Sequence, residues 1–161
     1  MTSDTYKLYP NSYPDDLLAR IIEDGATQQY FKDVYRISKT GACNRDVFIC
    51  SALENEVGEV NTRDAYLAEK NREYEIGEWS TSCCDCLSAA QEKLALMERH
   101  HDRPLILIGN ILPETGYSVL TTERKTIKLL PAKKLRKKKH HIDWWIFKDQ
   151  DVSEHFRILE V

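Results

Sequence analysis

At 161 residues, with 30% charged and 42% hydrophobic residues and a formal charge of −3, the chain has the size and balance of one globular domain, residues 1–161. It has no apolar run near the roughly 20 residues of a membrane-spanning helix, and Met1-Thr2-Ser3-Asp4 lacks the basic and apolar regions of a signal peptide. The expectation is a cytoplasmic protein with no membrane partner. Five cysteines, with Cys83 and Cys84 adjacent and Cys86 two further on, make a poor disulfide framework, so reduced thiols are expected.

Residues 1–11 read as a flexible lead-in. Ser12-Tyr13-Pro14-Asp15-Asp16 then opens a helix with a proline in its first turn and acids suited to the dipole. Leu17, Leu18, Ile21 and Ile22 give it an apolar face, and Gly25 ends it. Over Asp33–Ser38 the period changes to two, with Val34, Arg36 and Ser38 on one face and Tyr35 and Ile37 on the other. An arginine beside a valine either lies at the wet side of a sheet or sits in a cleft that binds an anion. Val47-Phe48-Ile49-Cys50 is a buried run whose periodicity does not separate helix from strand. Residues 54–60 read as an acidic loop and 62–72 as a surface helix.

The stretch from Gly77 to Cys86 reads as a strand ending in Ser80-Thr81-Ser82, with Ser82 capping a helix and Asp85 three residues on. Leu87, Ala90, Leu94 and Met97 form the core face of that helix, and Gln91, Glu92, Lys93 and Glu98 its polar face. It should stop near His100-His101, before Pro104. Leu105–Gly109 is a buried strand, Pro113–Gly116 a turn, and Tyr117–Thr122 a second strand hairpinned to the first. Residues 128–140 read as a basic loop containing Lys133, Lys134, Arg136, Lys137, Lys138 and Lys139. Ile142–Phe147 is an aromatic and β-branched strand, residues 149–156 one or two helical turns, and residues 157–161 a last strand. The whole is an α+β domain with a mixed or antiparallel central sheet flanked by helices.

Three sets of residues carry chemistry. Cys83-x-x-Cys86 has zinc-type spacing, with His140 and His141 as further donors, but no second cysteine pair exists, so no metal site is expected. A thiol at a helix start is activated, which makes Cys83 or Cys84 a candidate nucleophile. In the late strand His141, Asp143 and Trp145 share one face, which would place an acid–base pair beside a ring that stacks a planar ligand.

Arg36 on a strand, Ser80-Thr81-Ser82 at a strand end and an acid on a late strand resemble the Arg, Ser-Thr-Ser and Glu motifs of ADP-ribosyltransferases. The resemblance implies that Arg36 binds the phosphates of NAD, that Ser80, Thr81 and Ser82 order the cleft wall, and that the late acid stabilises the oxocarbenium-like sugar. Where that family has Glu, this sequence offers Asp143 or, at its end, Glu160.

Two functions follow as expectations. One is a nucleotide-type pocket with NAD as substrate and no bound cofactor, using Asp143, His141 and Ser80 in catalysis and Arg36, Thr81, Ser82 and Trp145 in binding. The alternative is a regulatory, defence- or phage-associated binding module whose lysine block contacts nucleic acid or an acidic protein.

Overall fold

The first helix forms over Leu17–Glu23 (α1) and buries Leu17 and Ile21, while Ile22 stays exposed. The computed structural model describes residues 13–50, 75–147 and 150–159. The acidic loop and surface helix read at 54–60 and 62–72 lie outside these residues, as does Glu160. Gly25, at φ 111°, ends α1 as the pattern predicts. Its N–H donates to the Ile22 carbonyl and that of Ala26 to the Ile21 carbonyl, a Schellman closure that only a left-handed residue completes cheaply.

Six strands follow: β1 (Phe31–Ser38), β2 (Thr81–Cys84), β3 (Leu105–Ile111), β4 (Gly116–Leu120), β5 (His141–Ile146) and β6 (Phe156–Ile158). They make one antiparallel sheet in the order β4-β5-β2-β1-β3-β6. Helix α2 spans Leu87–Met97, and a short helix, α3, spans Ala132–Lys137. The domain is therefore α+β, as its composition and pattern suggest. Among the described residues no helix is long and apolar enough to cross a membrane.

Four sequence expectations are corrected. The strand expected at 76–81 is a 3-10 turn, Ile76–Trp79, followed by β2. Ser82 does not cap the helix, because the ladder to β5 continues through Cys84, pairing Ser82 with Asp143 and Cys84 with His141. Cys86 takes the cap position instead. The lysine block is not simply a loop, since Ala132 and Leu135 combine with helix-favouring Lys and Arg to form α3. The hairpin between 105–109 and 117–122 does not form, because β5, β2 and β1 lie between β3 and β4.

That separation dictates the sheet's shape. Ile111 and Gly116 are five residue steps apart, about 17 Å at full extension, yet four flat strand spacings are about 19 Å. Pro113–Thr115 also coils into a 3-10 turn, which shortens the connection further. The sheet therefore curls. Thr27, just ahead of β1, closes the curl by bridging to Ser118 on β4. Inside it Val34, Phe48, Cys83, Leu107, Ile111, Ile142, Trp144 and Phe156 share one core, covered by the 3-10 turns Arg45–Phe48 and Val152–His155. Outside, α1 packs on Val119 and Trp145, while α2 packs through Ala90 on Cys84 and Ile106.

Candidate functional site

Side chains paired across an antiparallel ladder share a face, so Ser82, Asp143, Cys84 and His141 look outward, and Thr81 and Trp144 inward. Arg36, paired with Leu107 of the inner core, also looks inward. Its guanidinium donates from Nε to the Val47 carbonyl (3.0 Å), from Nη1 to that of Ser82 (2.8 Å) and from Nη2 to that of Ile49 (3.4 Å). Thr81 Oγ1 donates to the Phe48 carbonyl at 2.6 Å. These two residues satisfy the carbonyls of an irregular segment laid over the core. The structure thus leaves Arg36 on the opposite face of the sheet from Asp143. Trp145 is fully buried, donates through Nε1 to the Ile76 carbonyl and offers no stacking surface. Ser82 is half-buried beside Asp143 on the ladder.

Ser80, Asp143 and His141 do come together, with partners the sequence does not mark. Asp143 is buried and accepts from Ser80 Oγ (2.6 Å), Thr121 Oγ1 (2.8 Å) and Arg124 Nη1 (3.1 Å). Arg124 Nε reaches Asp24 at 2.7 Å, and Thr126 donates to Asp24 from both its backbone N–H and its hydroxyl. Burial alone would raise the Asp24 pKa, but the bonds from Arg124 and Thr126 outweigh it and hold the carboxyl below its ordinary value. Arg124 is likewise held charged: burial opposes this, and Asp143 and Asp24 overcome it.

Thr121 Oγ1 also lies 2.5 Å from His141 Nδ1. The one hydroxyl proton goes to the Asp143 carboxylate, so the hydroxyl oxygen must accept from His141 Nδ1–H. That assigns the tautomer and leaves Nε2 with a bare lone pair. Burial lowers the pKa of His141; Asp143 opposes the shift, while Lys93, Lys138 and Arg124 reinforce it. The ring is neutral at pH 7.

His141 is partly exposed and lines a cleft of about 530 Å³ between α2 and the end of α3 with the segment after it. Ser88, Ala89, Glu92, Lys93 and Leu96 form the α2 wall, and Arg136, Lys137, Lys138, Lys139 and His140 the other, with Cys84 at the base. Five cationic residues line it, against one acidic residue, Glu92. Lys133 and Lys134 are exposed on α3, outside this lining.

The cysteine reading is corrected in part. Cys83 and Cys84 lie in β2 rather than at the helix start, and burial pushes their pKa values up, that of Cys83 to about 12. Cys86, at the cap, is the one whose thiol is lowered, by Ser88 and the backbone amides of Ser88 and Ala89. Among the described residues no group of His, Cys, Asp or Glu is arranged to hold a metal ion.

No family model, curated protein or solved structure matches this chain.

Proposed function

We propose that the protein binds nucleic acid through the cleft between α2 and α3. The carrying observation is the convergence of Lys93, Arg136, Lys137, Lys138 and Lys139 on one concavity of a protein whose net charge is −3. Such a local concentration of cations neutralises phosphates and releases their counterions. Supporting this reading over NAD cleavage, the arginine, serine and threonine of the ADP-ribosyltransferase resemblance are occupied as structural donors, and two of the three face the inner core.

The test is fluorescence anisotropy of a labelled single-stranded RNA across a salt series. Each phosphate contact contributes a slope of about −0.7 on a log–log plot, so engagement of all five cations gives about −3.5. Exchanging Lys138 and Arg136 for Glu reduces both affinity and slope. Binding insensitive to salt, or binding abolished equally by polyglutamate and by unlabelled RNA, points to an acidic protein instead and sinks the nucleic-acid reading.

A further inference from the structure

Consecutive side chains of a strand point to opposite faces, yet His140 and His141 line the same cleft. The backbone explains this. His140 has φ 70°, a left-handed conformation that a non-glycine side chain disfavours, and it breaks the alternation just where β5 begins. Asp85 fixes the arrangement twice, donating its N–H to the His140 carbonyl (2.9 Å) and meeting the ring Nδ1 through its carboxylate (2.8 Å). Two imidazole-bearing residues thus line one cleft, each tied at Nδ1, one to a hydroxyl–carboxylate chain and the other directly to a carboxylate. Among the described residues neither Nε2 has a hydrogen-bond partner.

We propose that the cleft cleaves RNA by transesterification, with His141 as general base and His140 as general acid. The inference rests on nucleic-acid binding at this cleft. His141 Nε2 takes the proton of a ribose 2′-hydroxyl, and the 2′-oxygen forms a bond to the adjacent phosphorus. The bond from phosphorus to the 5′-oxygen breaks, and His140 Nε2–H gives its proton to that oxygen. The products are a 2′,3′-cyclic phosphate and a 5′-hydroxyl end, and exchange with water resets both rings. Lys93 and Lys138 supply positive charge where the pentacoordinate phosphorus gathers negative charge. The bond to Thr121 serves the base, because it keeps the Nδ1 proton in place and the lone pair at Nε2. The hydroxyl that His141 requires is also the group that separates RNA from DNA.

Three probes test this with the full chain: 2′-O-methyl RNA for binding, a DNA strand carrying one ribonucleotide for cleavage, and uridine 3′-(p-nitrophenyl phosphate). The last has a leaving group that needs no proton. The wild type is expected to bind the methylated RNA and to cut the mixed strand at its ribonucleotide, leaving a cyclic phosphate. His141→Ala and His141→Asn are expected to lose about 10²–10⁴-fold in rate on both cleavable substrates. The asparagine keeps an amide donor for Thr121, so the fold is preserved. His140→Ala is expected to be slow on the mixed strand and near wild type on the nitrophenyl ester. Binding without cleavage overturns the transesterification and leaves the binding function standing. Failure to bind methylated RNA overturns the binding function itself. Cleavage unchanged in both His141 variants exposes a contaminant and overturns the inference too.

Discussion

His141 connects the buried network to solvent, and its protonation ties stability to pH. The groups that face it are Asp143 on its own strand, Lys93 from α2, Lys138 from the segment after α3, and Thr121 and Arg124 beyond β4. Burial brings its pKa from 6.5 in the unfolded chain to about 4 in the folded protein. Between these values the unfolded chain takes up a proton that the native one does not, so stability falls as pH drops from 6.5 to 4. Above 6.5 both states are neutral and the residue contributes no slope. The loss is at most on the order of 3 kcal/mol, at 1.36 kcal/mol per unit. Asp24 acts in a lower window: its depressed pKa adds stability above about 3.8 that is lost as pH falls further. Urea unfolding at half-unit pH steps should therefore show a declining midpoint from 6.5 to 4. His141→Asn should flatten that decline and leave the acid limb below 3.8 in place. A variant with the wild-type slope would show that His141 titrates normally.

At the scale of elements, Arg124 joins the end of α1 to β5. The Schellman closure of α1 sets Asp24 in place, the 3-10 turn Thr121–Glu123 presents Arg124, and β5 carries Asp143. One guanidinium thus answers two buried carboxylates. Removing one partner of such a cluster leaves uncompensated charge, so Arg124→Met is expected to cost about 3–5 kcal/mol, read from the urea midpoint. A loss below about 1 kcal/mol would mean that water reaches the carboxylates. This network also shows what the sequence can and cannot disclose. The apolar spacing of Leu17 and Ile21 with Gly25 after it, the alternation through Val34–Ser38 and the aromatic run of β5 are local patterns, and each forms near its expected bounds. Asp24 and Arg124 are 100 residues apart and sit in unremarkable turns, so nothing local marks them as partners. Local spacing alone, with Asp85 three residues on, marks Ser82 as a cap. Pairing with Asp143, 61 positions later, overrides that local preference. The cleft was legible in composition, as lysines and histidines, but not in geometry. The left-handed His140 is held by Asp85, 55 residues earlier, and the α2 wall is as remote in sequence.

At the scale of the whole molecule, the curl decides which residues meet. A flat sheet would leave β4 as an open edge and carry Thr121 and Arg124, which follow it, away from α1. Bringing Thr27 onto Ser118 draws the α1 terminus, and Asp24 with it, over β4, so that Arg124 spans from there to β5. The bridge consists of two backbone bonds, Thr27 N–H to the Ser118 carbonyl (3.1 Å) and Ser118 N–H to the Thr27 carbonyl (2.8 Å). Proline at position 27 removes the first donor while its fixed φ still suits an extended residue. One lost backbone bond at a partly exposed closure amounts to about 1 kcal/mol, or a fall of about 2–4 °C in Tm for a chain of this length. The more telling readout is hydrogen exchange in β4. If closure holds the edge, the amides of β4 in Thr27→Pro should exchange much faster than those of β1 and β3, and the proposed cleavage of RNA should slow as Thr121 loosens its hold on His141. If closure is incidental, exchange in β4 stays level with the centre of the sheet. The curl would then rest on the short connection from β3 to β4 and on the inner core around Phe48 and Trp144.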